Sequence, residues 1–223
     1  MVTGSEPSGG KRPVPSPASR TPALATPRTL TLRNRQRARR VDLRLLRRIA
    51  RELLRETWPE RGFDLAIYLV AAPEITRLNE TFLRHQGSTD VITFDYSNPA
   101  GPTVRRHADS PSARRLYARV AAEVSRRYLA CAEYAPCENR KAADQVALHG
   151  EIFVCLDEAV AQARRFRATW QSELVRYVVH GLLHLLGYDD QRTLARRKMK
   201  SAEDTLVRHL ARQFDYSQLG PSG

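Results

Sequence analysis

Between His180 and Asp190 the chain runs His-Gly-Leu-Leu-His-Leu-Leu-Gly-Tyr-Asp-Asp, and few backbone paths make chemical sense of that order. Two imidazoles four residues apart fall on one face of an α-helix, so His180 and His184 can grip one ion from the same side. Gly187 can take the left-handed conformation that ends a helix, and the chain can then turn back to bring Asp190 to that ion. Asp189 is the near alternative as third ligand; with Asp190 on the ion, Asp189 is left to orient an imidazole or cap the next turn. Two histidines and an aspartate suit one Zn²⁺ and leave a fourth position for water, the layout of a catalytic rather than a closed structural site. An aspartate in place of a third imidazole makes the site one charge more negative, which weakens the ion's Lewis acidity. Two core histidines satisfied by backbone carbonyls are the plain alternative. The helix-ending glycine and the carboxylates that follow are hard to reconcile with packing alone.

The rest of the chain limits what such a site can act on. Its 223 residues suffice for one α/β domain with extra segments. Basic residues number 37 against 24 acidic, a net charge of +13, which attracts polyanions and favours nucleic acid as partner. The competing reading is that this charge only solvates tails and insertions. Cys131, Cys137 and Cys155 form no disulfide framework, and Cys131 and Cys137 have no second pair nearby with which to hold a metal. No stretch is apolar enough to span a bilayer, so no membrane partner is expected.

Residues 1–28 read as a disordered basic tail, with Pro7, Pro13, Pro15, Pro17, Pro22 and Pro27 among serines and threonines and only Glu6 acidic. That composition also matches an organelle transit peptide; a cytoplasmic protein with a tail is the simpler expectation. A short strand is expected at Thr29–Leu32, a helix over Val41–Glu56 with Leu45, Ile49 and Leu53 as its stripe, and a strand over Phe63–Val70. Pro73 opens the next helix through Ile75, Leu78 and Phe82. Strands follow at Val91–Phe94 and Ile152–Leu156. Between them, residues 97–145 read as a charged insertion with a helical core from Ala113 to Tyr134, because the two strands look like neighbours. Asp157 can cap a helix over Glu158–Arg167, and Ser172 the helix that carries the histidines. A basic helix over Thr193–Gln213 follows, and residues 217–223 read as a flexible C-terminus. The order predicts an α/β (α+β) fold, a single compact domain over residues 29–216. It has one small mixed sheet covered by helices, and a metal site on a helix and the loop after it.

The His-x-x-x-His-x-x-Gly-x-x-Asp spacing invites comparison with zinc peptidases, which require a glutamate directly after the first histidine as general base. Gly181 stands there, so peptidase chemistry lacks its proton carrier, and nothing in the sequence places Glu173 or Glu151 to substitute. The ion can still acidify a water and polarise a phosphoryl oxygen, which together with the charge makes a phosphodiester the natural substrate. Arg84 and His85 can face a substrate phosphate, and Glu151 is a further candidate for the catalytic group; Thr89 and Asp90 suit a turn or the start of a strand.

Taken together, these residues resemble the YbeY family of bacterial zinc-dependent single-strand endoribonucleases that mature rRNA. The resemblance runs from Asn34-Arg35-Gln36 to about Arg212, omitting the tail and the insertion. It is carried chiefly by His180 to Asp189, with Leu78-Asn79, Thr89-Asp90-Val91, Phe94 and Gly150-Glu151-Ile152 in the family's order. It implies a compact α/β fold, one zinc, hydrolysis of single-stranded rRNA precursors at the small-subunit 3′ end, a role in ribosome quality control, and contact with the small ribosomal subunit. His180 and His184 stand at the first two ligand positions, and Asp190 where the family usually has a third histidine. The family's arginine follows the aromatic after Leu-Asn; here that position is Leu83, with Arg84 next, and a one-residue shift on an α-helix turns a side chain by roughly 100°. A non-catalytic ribosome assembly factor is the alternative function, and a metallopeptidase the weaker one.

Overall fold

The computed structural model describes Met1 and residues 28–59, 61–97, 103–105 and 146–221. The expected tail and the helical core at Ala113–Tyr134 lie outside the described residues. Three strands run parallel: β1 (Arg28–Asn34), β2 (Gly62–Val70) and β5 (Val146–Cys155). β3 (Val91–Asp95) joins β5 antiparallel, and β4 (Thr103–Arg105) joins β3, giving the order β1-β2-β5-β3-β4. The pairing of Thr93 with Ile152 makes neighbours of the two strands that flank the expected insertion, although some fifty residues separate them in sequence.

Period-two alternation sorts the sheet's side chains into two cores. Leu65, Ile67, Leu69, Leu148, Ile152 and Val154 join the larger core, whereas Tyr68, Val70, Phe153 and Cys155 face the smaller one. The larger core lies under α1 (Leu43–Thr57) and α4 (Trp170–Leu185). The smaller one lies under α2 (Ala72–Leu78), which passes directly into a π-helical turn (Asn79–Leu83). The remaining helices are α3 (Leu156–Phe166) and α5 (Thr193–Gln213), followed by a 3₁₀ turn (Tyr216–Leu219). No helix among the described residues is long and apolar enough to cross a membrane.

Asp42 starts α1 by accepting from the Arg44 and Leu45 amides, a cap worth about 1 kcal/mol. Leu46, Ala50 and Leu54 widen the expected stripe of Leu45, Ile49 and Leu53. Two expected caps belong elsewhere. Ser172 is the third residue of α4, its amide donating to Thr169 Oγ1, so Thr169 is the cap. Asp157 lies inside α3, and its carboxylate accepts instead from the Ala72 amide at the start of α2.

Within the C-terminal residues expected to be flexible, Leu219 is packed into the core while Ser217, Gln218 and Pro221 are exposed. Leu219 is fully buried, its carbonyl accepts from the Asp42 amide at 2.8 Å, and the Gly220 carbonyl accepts from buried Gln171 Nε2 at 2.7 Å. These bonds tie the start of α1 and the start of α4 together.

Candidate metal centre

α4 is the central helix: 13 of its 16 residues are buried, so it carries apolar side chains on nearly every side. Gly181 lets it approach the sheet. A methyl at that position would come within 2.6 Å of Ile152 Cγ2 and 3.1 Å of Val91 Cγ2. The position after His180 therefore faces the sheet, and a glutamate placed there would meet Ile152. Gly150 serves the same approach from β5, where an added Cβ would lie 3.0 Å from Leu185 Cδ1.

The helix ends as the glycine predicts. Gly187 has φ 94°, its amide donates to His184 O, and the Tyr188 amide donates to Leu183 O, the paired bonds of a Schellman stop. The loop then returns along the helix. Asp189 Oδ1 accepts from the Gln191 amide and so caps the turn, while Asp190 reaches the histidines. Donor atoms of His180, His184 and Asp190 all lie within 4.8 Å of one another. His180 Nε2 is 3.1 Å from His184 Nε2 and 4.0 Å from Asp190 Oδ2.

The outer ring nitrogens decide what the inner ones can do. His180 Nδ1 donates to Glu203 Oε2 at 2.9 Å, and His184 Nδ1 to the Tyr188 carbonyl at 3.3 Å. Both partners are oxygen acceptors, so each neutral ring keeps its proton on Nδ1 and turns the bare lone pair of Nε2 inward. Two lone pairs 3.1 Å apart repel unless a cation sits between them. A tetrahedral zinc with Zn–N of about 2.0–2.1 Å sets two nitrogens roughly 3.3 Å apart, so the donor set fits that ion. Burial, and then the neighbouring His180, push His184 down to about 4, which keeps it unprotonated near neutral pH.

Glu203, on α5, is a site residue that the sequence reading missed. It is buried, and its Oε1 accepts from Arg176 Nη1 at 2.6 Å and Lys200 Nζ at 3.2 Å. Burial raises its pKa, but the bonds from His180 and Arg176 outweigh that and hold it near 2. The available signal was its position on the apolar row Met199, Glu203, Val207 and Leu210 of α5, all buried.

The other expected site residues sit on other elements, Glu151 on β5 and Arg84 and His85 after the π turn. Glu151 follows Gly150 on β5 and points to the opposite face, where it accepts from Tyr68 Oη at 3.3 Å and Tyr96 Oη at 2.8 Å. The strand's alternation thus turns it away from α4. Burial raises its pKa against the lowering effect of the two tyrosine bonds. Arg84 and His85 are exposed just beyond the π turn, where the Arg84 amide donates to Asn79 O and Arg84 has φ 54°. This i→i+5 bond closes a π rather than an α-helical turn ahead of Arg84. Asp90 Oδ1 accepts from the Val91 amide and from Thr89 Oγ1 at the start of β3, the expected structural role.

The family model described as Endoribonuclease YbeY matches residues 31–211. A protein of that name from Salinibacter ruber is 29% identical over 140 residues, covering 63% of this chain and 66% of its own. Its namesake from Myxococcus xanthus is 30% identical over 146 residues, 66% of this chain and 36% of the relative. The one from Chlorobaculum tepidum is 28% identical over 166 residues, 74% and 87% of the two chains. The chain thus spans less than two thirds of the length of the first two. A match to the family model over residues 31–211, well over half of the chain, means that this chain belongs to the YbeY family.

Proposed function

We propose that the chain is a zinc-dependent endoribonuclease that hydrolyses phosphodiester bonds in single-stranded rRNA precursors, with the small-subunit 3′ end as substrate. In this reading it works in the cytoplasm in contact with the small ribosomal subunit. The observation that carries it is the pair of inward Nε2 lone pairs 3.1 Å apart, each fixed by an acceptor on its own Nδ1, with Asp190 beside them. His180, His184 and Asp190 hold the ion, which when bound supplies Lewis acidity to a phosphoryl oxygen and acidifies its water. Glu203 and the Tyr188 carbonyl keep the imidazoles in the ligating tautomer. Arg196, whose Nε donates to the Asp190 carbonyl at 2.8 Å, steadies the third ligand and brings positive charge to the rim. Arg84 and His85, exposed beyond the π turn, meet the substrate's phosphates, and the guanidinium stabilises charge developing on the phosphoryl oxygens. Glu151 takes no part in the chemistry.

The test incubates labelled single-stranded RNA carrying a precursor small-subunit 3′ end with metal-quantified wild type and with a folded His184→Ala variant. Cleavage by wild type, with loss of zinc and of cleavage in the variant, is the expected result. Intact RNA in both lanes, with zinc bound to wild type and the substrate cut by another family member, would transfer the chain to non-catalytic ribosome assembly.

A further inference from the structure

We propose that the exposed face of α5 is a track for the phosphate backbone of single-stranded RNA, leading into the metal centre. This extends the reading of the chain as an RNA-acting protein. A trough of about 460 Å³ runs along the helix, lined by Arg196, Arg197, Lys200, Ser201, Asp204 and Arg208. All four basic side chains are exposed.

The acidic residues of this stretch are taken up by partners. Glu203 turns inward to His180, while Asp204 is neutralised by Arg176 Nη1 at 2.7 Å and Lys200 Nζ at 3.1 Å. Among the described residues no carboxylate pairs with Arg197 or Arg208, so two guanidinium forks stand open on one helix face. Such forks match phosphate oxygens two at a time. From Arg197 to Arg208 the helix advances about 16 Å, room for several consecutive phosphates of one strand.

The track is continuous with the site. At its start Arg196 holds the Asp190 carbonyl, and Lys200 bonds Glu203, which bonds His180. A strand lying on α5 is thereby delivered at the third ligand and the first histidine. Backbone contact of this kind carries no base preference, so it positions RNA and leaves sequence choice to other contacts.

The experiment titrates a fluorescent oligouridine of roughly 20 nucleotides, longer than the usual footprint of one module, into zinc-loaded full chain over a range of salt. A gel verifies that the probe is intact after each titration. Arg197→Ala/Arg208→Ala is expected to flatten the plot of log K against log salt by about 1.4, two phosphate contacts at about 0.7 each on a single strand. At moderate salt, affinity falls on the order of tenfold. Arg197→Lys/Arg208→Lys keeps most of the slope. Arg44→Ala/Arg51→Ala, which removes two exposed arginines from α1, leaves the slope unchanged. Zinc stoichiometry and melting temperature equal to wild type establish that each variant is folded.

An unchanged slope in the α5 variant, or equal flattening in the α1 variant, would overturn the proposal. Retained oligouridine affinity with lost polyglutamate binding would overturn it too, and would give the face to an acidic protein. Binding is read without cleavage, so an inactive wild type would sink the enzyme reading while leaving this one standing.

Discussion

Glu203 receives hydrogen bonds from Arg176, Lys200 and His180 at once, which makes it the hinge between the charged surface of α5 and the imidazoles. Its effect on the metal is electronic and positional, because a carboxylate on Nδ1 fixes the tautomer and raises the basicity of Nε2. Glu203→Gln is expected to lower zinc affinity about 10–100-fold, read by chelator competition. An affinity equal to wild type would remove Glu203 from the site. The histidines were legible in the sequence because an i, i+4 pair and a glycine stop are local signals. Glu203 was not, because its bond to His180 crosses 23 residues and depends on how α5 docks. Only its place on an apolar row of a basic helix hinted at it.

Glu151 raises the opposite question, since it is buried with two tyrosine donors and, among the described residues, no cation bonded to it directly. Its folded pKa lies above the ordinary value, so its contribution to stability is complete below the unfolded pKa of about 4.3 and fades as pH rises through the folded one. Glu151→Gln is uncharged throughout. The stability difference between the variant and wild type should therefore shift in the variant's favour as pH rises from about 4.5 to 8. Urea unfolding at several pH values checks this, and a difference that stays flat would refute it. The face Glu151 occupies was readable in principle, because Gly150 and Ile152 both serve the α4 side.

At the scale of elements, α4 is seated tightly against the sheet. Gly181→Ala adds helix propensity of about 1 kcal/mol but drives a methyl to 2.6 Å from Ile152 Cγ2, a branched side chain fixed on a central strand. Overpacking of that kind costs about 1–3 kcal/mol, so the net expectation is a lower melting temperature. A rise would mean that the sheet gives way more easily than its packing implies. The sequence supplied the existence and order of the helices and of the strands outside the insertion, since their apolar periods are strong. It misplaced the caps of α3 and α4, because Ser172 and Asp157 both look like caps in isolation and only tertiary contact assigns Asp157 to α2. The π turn at Asn79–Leu83 could not be read from the chain, because such a turn has no distinct apolar pattern.

For the whole molecule, the packed C-terminal segment joins elements that are far apart in sequence. Removing residues 215–223 strips Leu219 and Tyr216 from the core and the acceptors from Asp42 and Gln171. Each large apolar side chain is worth about 1.5–3 kcal/mol, so the truncated chain should lose about 3 kcal/mol or more in urea unfolding. Near-wild-type stability would show that the segment rests on the core without supporting it. The parallel half of the sheet was within reach of sequence reasoning, whereas this closure was not, because polar residues such as Ser217 and Gln218 disguise the buried Leu219 between them and Gly220. The close seat of Gly181 on Ile152 has a mechanical consequence. The helix bearing both imidazoles behaves as the fixed jaw of a vice, clamped to a sheet it cannot slide along. The loop from Leu186 to Arg192 mounts the oxygen ligand separately, so the two nitrogens share one jaw while the carboxylate is aimed by its own set of bonds.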